Sequence, residues 1–399
     1  MAEKYKKFFC KDCGFPSAYH IQTWLEELAN HLPDFSLFKK IKYFSDVLFE
    51  KIFTFFKVAF LKENFNLSDI QLRSACFIRE ARNHGIKFKI LRGPFGYTNH
   101  ILAEAEGRIF RFESLPTADF ASKKNLDITN DKQKTKKLLR KKGFPVAEGR
   151  SFWFFQKRKA IDFAIDKIGF PLVVKPRNGS VSRHVTTNIK TINQLKEAIQ
   201  KAIIYSPSFI VEKFIPNTLV YRATVIDFNF TACVKQIPAN VVGNGTSTIR
   251  KLIDTKNNDP HRGKPNQKEF TLYKIVENEK TRELLKKKGY DFNSIPKKGE
   301  IVWLQEDPFL KLGGDLIEVT SQVHSDNLQL FREIARLFDI RVVGIDFLCK
   351  EISLPWKKQE CAVLELNSLP CIELHHFPSR GKAQNVAKTV VDLFFKYYL

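Results

Sequence analysis

The sequence has no long apolar run. Its best membrane candidate, residues 41–61, carries Lys42, Asp46, Glu50, Lys51 and Lys57, and charges at that density argue against a membrane span. An apolar h-region is missing too. The opening MAEKYKKFFCKDCGF mixes lysines with aromatics, so no signal peptide is expected. The seven cysteines (10, 13, 76, 233, 349, 361 and 371) are odd in number and irregular in spacing. That excludes an even disulfide framework and fits a reducing, cytoplasmic setting. No GxxxxGK[ST] loop is present, which excludes a Walker-type phosphate site. There is no Ser/His/Asp arrangement to support a nucleophilic hydrolase, no internal repeat and no long basic arm.

What remains is a chain of 399 residues, 43% apolar and 13% aromatic. That is ample core material for two or three domains at ~100–200 residues each. Lysine and arginine number 66 against 43 acids, a formal charge of +23. Such a balance favours anionic partners such as nucleotides, acidic peptides, nucleic acid or an anionic lipid surface. The lysines are scattered, and a lysine-rich proteome explains the excess equally well.

Residues 1–65 are phenylalanine-rich and helical in pattern. Trp24, Leu25, Leu28 and Leu32 recur at helical spacing, as do Phe44, Val47, Leu48, Ile52, Phe55 and Phe56, so two amphipathic helices broken near Pro33-Asp34 are expected. They are expected to pack on the rest of the chain, with an interfacial role as the alternative. Cys10-Lys-Asp-Cys13-Gly resembles half of a zinc knuckle, but no second cysteine pair follows, and His20 and His31 look poorly placed. From Leu67 the pattern predicts a helix over 68–83, strands over 87–91 and 108–113 with a loop between, and a basic helix over 130–142. A βαβ-like unit follows: strand 172–175, helix 192–205, strand 209–212. A hairpin over 221–236, a polar loop over 257–268, and helices over 280–288, 325–338 and 382–398 complete the expectation.

Two features carry chemistry on their own residues. Val342–Leu348 and Cys361–Asn367 read as strands, and alternation puts Glu365 and Asn367 on one face. On the other strand Asp346 shares a face with Gly344, where the missing side chain leaves room for a ligand. Two carboxylates and an amide oxygen on rigid strands suit a hard cation such as Mg²⁺. The second feature is Lys175 at the end of an apolar strand, followed by the small polar turn 177–184; that combination can hold a polyphosphate. Farther on, strand 209–212 runs into a polar linker whose free backbone groups can read an adenine edge.

The ordered series Asp131-Lys132, Val174-Lys175-Pro176, Glu212-Lys213-Phe214-Ile215, Tyr221-Arg222, Arg262-Gly263, Gly313-Gly314, Gly344-Ile-Asp346 and Glu365-Leu-Asn367 closely resembles the ATP-grasp domain of cyanophycin synthetases. It also resembles the ATP-grasp half of bifunctional glutathione-forming ligases. The resemblance covers about residues 125–399. It implies an α+β architecture, the ATP-grasp fold, in which two α+β lobes clamp ATP and two Mg²⁺ ions. A small α/β lobe (66–124) and the helical segment (1–65) would precede it. Cyanophycin synthetases carry a further, Mur-ligase-like domain on the C-terminal side, and these residues stop short of one.

The implied activity is that of a carboxylate–amine ligase: an acyl phosphate forms, an amine attacks it, and an amide, ADP and phosphate result. Lys132 and Lys175 match the lysines that contact ATP phosphates, with Gly179, Ser180 and Ser182 in the loop between the lobes. Glu212 and Lys213 match the adenine hinge. Asp346, Glu365 and Asn367 match the Mg²⁺ ligands. Arg222, with Lys175, matches the residues at the reacting groups. Amino-acid or acidic-peptide substrates are expected, and homo-oligomer formation stays open. The chain also departs from the family. The loop GNHGRGV becomes Gly179-Ser-Val-Ser182-Arg183-His184-Val185, an acidic residue before the aromatic–arginine pair becomes Val220, and Ser-Thr before Gly-Gly becomes Lys311-Leu312. These changes keep a second reading open, a non-catalytic relic acting as a basic binding protein for nucleic acid or anionic membrane. Neither of those is an expected partner of the enzyme.

Overall fold

The boundaries of the expected strands and helices follow the sequence pattern closely, but several strands it did not signal, among them 60–62, 96–105, 149–153, 186–189 and 315–318, complete the sheets. A computed structural model of the chain describes residues 10, 17–29, 59–94, 96–118, 128–129, 131–179, 183–264, 267 and 269–399. The expected helix around residues 44–56, together with Cys13, His31, Ser180 and Ser182, lies outside them. Helix α1 (Ser17–Ala29) docks on the body of the protein, but not by the expected apolar stripe: Leu25 and Leu28 stay exposed (62% and 42%), and the contacts are made by Trp24 and a polar neighbour. The Trp24 indole donates to the Ile203 carbonyl at 3.1 Å, and buried Glu27 accepts from the Ser206 and Ser208 hydroxyls. No helix among the described residues is long and apolar enough to cross a membrane.

The first sheet is an antiparallel meander, β1 (Phe60–Lys62), β2 (Lys87–Gly93), β3 (Gly96–Ala105) and β4 (Arg108–Glu113). Residues 60–62, expected to be helical, are its edge, and β3 occupies what read as a loop. Helix α2 (Leu72–Arg82) covers one face through Phe77, Ile78 and Ala81. The same core takes in Val390, Val391 and Phe394 of the closing helix. Phe77 meets Phe88, Phe112 and Phe394 at centroid distances of 5.8, 5.7 and 6.4 Å. Each buried ring contributes about 1.5–3 kcal/mol.

The second lobe begins with α3 (Lys132–Lys141), whose N-cap Asp131 accepts from the backbone of Gln133 and Lys134. It continues through β5 (Gly149–Trp153), α4 (Lys157–Phe163), β6 (Leu172–Pro176), β7 (Thr186–Ile189), α5 (Ile192–Tyr205) and β8 (Ser208–Lys213). The sheet order is β5-β8-β6-β7. The expected parallel βαβ unit is not formed, because β6 and β8 pair antiparallel. Between them lies β7, whose sequence Thr-Thr-Asn-Ile carries no apolar alternation. One unseen strand returns the chain, so the next must run the opposite way.

The third lobe holds β9 (Leu219–Ile226) and β10 (Asn229–Ile237), joined through Asp227 and Phe228 at φ 49° and 61°. Paired positive φ values make this a two-residue hairpin of the primed type. An insert follows with β11 (Asn240–Val242), α6 (Ile249–Asn257), β12 (Arg262–Gly263), β13 (Leu272–Tyr273), α7 (Glu279–Lys287) and β14 (Ile301–Trp303). Its base is a buried cluster in which Asp315 takes Arg262, Lys256 (2.6 Å) and Asn240 (3.1 Å). Then come β15 (Asp315–Glu318), α8 (Ser325–Phe338), β16 (Val342–Cys349), β17 (Cys361–Asn367), α9 (Glu373–His376) and α10 (Val386–Tyr398). The sheet order is β15-β10-β9-β16-β17. Alternation divides its two faces: Tyr221, Ala223, Val225, Ile345 and Phe347 go into the core under α8 with Phe331 and Phe338. Arg222, Thr224, Gly344 and Asp346 are left for the opposite face.

Candidate active site

Strand register sets the site. Asp346 on β16 pairs with Arg222 of β9 on one side and with Glu365 of β17 on the other. Three charged side chains therefore stand abreast, and Gly344 and Asn367 pair one step along the ladder. Arg222 grips Asp346 with two bonds, Nε to Oδ1 and Nη2 to Oδ2, the second 2.9 Å long. Both side chains are about a tenth exposed (10% and 11%), so this is a buried bidentate pair of the stronger kind.

Burial pushes the Asp346 carboxyl above its ordinary range against the pull of Arg222, and the adjacent Glu365 pushes it further. Glu365 moves the other way. Its burial is outweighed by Lys132, by a hydrogen bond with Asp346, by Arg222 and by Lys175. Below about pH 6 the two carboxyls therefore hold one proton between them, on Asp346; above it Asp346 is ionised and paired with Arg222. A cation of high charge would replace that proton. The donor set fits Mg²⁺, with two carboxylates, an amide, and one buried amide end, Asn367 Nδ2, without a partner among the described residues. Rotating that amide presents its oxygen instead.

The space expected above Gly344 is not free for a ligand. A Cβ there would lie 3.2 Å from Arg222 Cδ and 3.0 Å from Pro370 Cβ. The missing side chain lets Arg222 cross the strand to reach Asp346.

The second lobe contributes lysines. Lys175, at the end of β6, pairs with Glu212 at 2.7 Å, and burial reinforced by Lys132 lowers it below a lysine's ordinary value. Glu212 also takes Lys136, a residue the motif series omitted. Lys136 lies one helical turn after Lys132 on α3, so the i,i+4 rule was the signal that could have found it. Lys132 Nζ donates to the Gly179 carbonyl at 2.5 Å. Asp131 and Arg177 form a second bidentate pair, 3.0 and 2.6 Å.

The hinge expectation needs correcting in detail. Glu212 is 2% exposed and turns towards the lysines. The Lys213 and Phe214 amides already donate to the Glu148 and Pro171 carbonyls at 2.8 and 3.0 Å, so those two donors are not free for an adenine edge. The Lys213 side chain lies outside, 3.5 Å from Glu360. His375 and His376, which resemble solvated loop residues in the sequence, sit on α9. His375 is fully buried with Nε2 2.7 Å from Thr224 Oγ1, and His376 Nε2 accepts from the Ala387 amide at 3.1 Å.

A four-stranded lobe and a five-stranded lobe that bring lysines and paired carboxylates together make this an ATP-grasp protein. A solved bifunctional glutathione synthetase from Pasteurella multocida superposes with a TM-score of 0.63 at 24% identity, over 83% of this chain and 44% of that one. In sequence the chain is similar to the cyanophycin synthetase of Trichormus variabilis, 30% identical over 341 residues, 84% of this chain and 36% of that protein. It is also similar to the glutathione biosynthesis bifunctional protein GshAB of Clostridium perfringens, 28% identical over 344 residues, 84% of this chain and 43% of that protein. The chain thus spans less than half the length of these relatives. No protein-family model matches it.

Proposed function

We propose that the protein is an ATP-dependent carboxylate–amine ligase that forms an amide through an acyl phosphate and releases ADP and phosphate. One observation carries the reading. Arg222, Asp346 and Glu365 stand abreast on one sheet face, and Lys132 and Lys175 of the other lobe are near enough to hold the Glu365 carboxyl down.

The chemistry explains why such a site needs charge rather than a nucleophile. A carboxylate is a poor electrophile because its leaving group would be oxide; phosphorylation supplies a better one. The transition state spreads negative charge over the phosphoryl oxygens, so catalysis comes from positioned cations. Lys132 and Lys175 are assigned to the ATP phosphates, with Gly179, Ser180 and Ser182 lining the loop over them. Glu212, expected with Lys213 at the nucleotide hinge, is assigned instead to fixing Lys175 and Lys136. Asp346, Glu365 and Asn367 are assigned to two Mg²⁺ ions, which when bound neutralise and orient the phosphate oxygens. Arg222 shares Asp346 with that site. With Asp346 engaged in holding a metal, the Arg222 guanidinium would be free to turn to the reacting carboxylate or phosphoryl group.

The relatives named for cyanophycin and glutathione synthesis support amino-acid or peptide substrates. We place the ATP-grasp unit at 125–399, a small lobe at 66–124 and a helical segment at 1–65, in a cytoplasmic protein. The test is phosphate release from ATP and Mg²⁺ with amino acids and acidic peptides, paired with a mass-spectrometric search for amide products. Activity should vanish in Asp346→Ala. Equal silence of wild type and variant across a broad panel overturns the reading and leaves the basic binding protein.

A further inference from the structure

The N-terminal cysteine motif takes no part in the site above, yet its first cysteine is not isolated. Cys10 Sγ lies 3.5 Å from His184 Nε2. The ligating atoms of Cys10, His20 and His184 all lie within 4.8 Å of one another. Helix α1 carries His20 back towards Cys10, which the residue spacing alone did not foretell.

The His184 ring is set by its far nitrogen. Nδ1 is 2.8 Å from the Lys201 carbonyl; a carbonyl only accepts, so Nδ1 carries the proton. In the neutral ring Nε2 is then a lone pair, and it is the atom that faces the thiol. Anchoring the far nitrogen on a backbone carbonyl is how metal-ligating histidines are commonly held. His20 is also buried. Bond lengths to tetrahedral zinc imply sulfur–nitrogen separations of about 3.6 Å and nitrogen–nitrogen separations of about 3.3 Å. The Cys10–His184 distance already matches, and the remaining separations need only a small ring movement.

We propose that Cys10, His20 and His184 bind a zinc-class divalent cation that staples the N-terminal segment to the loop ending at His184. One thiolate and two imidazoles suit such an ion, whereas the all-oxygen set at Asp346 suits Mg²⁺. Binding exchanges the Cys10 thiol proton for a sulfur–metal bond and releases that proton to solvent. The staple acts at a constrained place. His184 sits at φ 54°, and its ring packs on Tyr205 at 5.4 Å between centroids. At the other end of the same loop, a Cβ on Gly179 would lie 2.6 Å from Tyr205 Cε1.

The ion-binding claim stands apart from the ligase reading, and its test reads the metal rather than turnover. Full-length protein, freed of loose metal by gel filtration, should hold about one zinc per chain by elemental mass spectrometry. Cys10→Ser and His20→Ala should lose most of it. Cobalt-loaded wild type should show a thiolate-to-cobalt charge-transfer band that Cys10→Ser lacks. Should a variant misfold, the wild type alone decides: after chelation, equimolar Zn²⁺ but not Mg²⁺ should protect Cys10 from alkylation, read on its tryptic peptide. Alkylation of Cys10 unchanged by zinc, or zinc retained in full by Cys10→Ser, overturns the site.

Discussion

Arg222 and Asp346 form the pair whose disruption is most informative, because each member depends on the other for compensation. In Asp346→Asn the side chain keeps its shape and one acceptor but loses its charge, stranding a guanidinium that is 10% exposed. Two unit charges ~4 Å apart at an effective dielectric of 20 attract by about 4 kcal/mol. Removing one partner of a buried pair typically costs about 3–5 kcal/mol. We therefore expect Asp346→Asn to lose about 3 kcal/mol. Arg222→Gln should lose less, because Asp346 then shares its site with a second carboxyl and can keep a proton. In the double variant neither charge is stranded. Its loss should fall short of the summed single losses by about 2 kcal/mol or more. The assay is urea unfolding of the four proteins without ATP or Mg²⁺, followed by tryptophan fluorescence. Losses that add to within ~0.5 kcal/mol, the usual scatter for independent sites, would refute the buried-pair argument. Phosphate release belongs in the same series. The double variant should be inactive however stable it is, since stability and charge at the reacting groups are separate requirements.

Three further outcomes follow from the same geometry. Gly179→Ala places a Cβ 2.6 Å from Tyr205 at φ 112°; ATP affinity should fall about tenfold or more with little loss of global stability, measured by nucleotide titration and thermal melting. Phe394→Ala removes a buried ring shared by the first sheet and α10 and should cost about 3–5 kcal/mol; unchanged unfolding of the first sheet, probed by hydrogen exchange, would separate the two. Because burial and Glu365 raise Asp346 to about 6, Mg²⁺ must displace a proton below that pH. Apparent Mg²⁺ affinity should hold above pH 7 and weaken by about tenfold per unit below 6, and calorimetry giving a flat profile from pH 5 to 8 would contradict the shared proton.

The sequence made the acidic strands legible because alternation is a strict rule: once Cys361–Asn367 is a strand, Glu365 and Asn367 must share a face. The helices over 192–205 and 325–338 were equally plain, since their apolar spacing is uninterrupted. Polar strands were not. β7 has no apolar alternation, so its presence was silent and the direction of β8 was misread with it. Buried compensation was silent as well. Nothing in the local pattern says that Glu212 turns inward to two lysines, that Arg222 fills the space over Gly344, or that His375 lies under β9. Those facts depend on which surfaces the lobes present to each other.

That distinction bears on how the site works. Every acid the motif series brings to the cleft already has a partner among the described residues: Asp131 holds Arg177, Glu212 holds Lys136 and Lys175, and Asp346 holds Arg222 and meets Glu365. A site that must accept a triphosphate and its metals cannot keep cations unpaired in a poorly solvated cleft without large desolvation penalties. Pairing them with carboxylates solves this. In the proposed ligase, incoming phosphates would exchange with carboxylates for the lysines, and Asp346 would leave Arg222 to hold a metal. Each exchange replaces one ion pair with another, so ligand entry need not create an uncompensated charge. Arg222 is the member of the set whose partner is itself a proposed metal ligand. It is therefore the residue whose release should track metal occupancy, and its freedom to reach the reacting groups should be lost when Asp346 is left without metal.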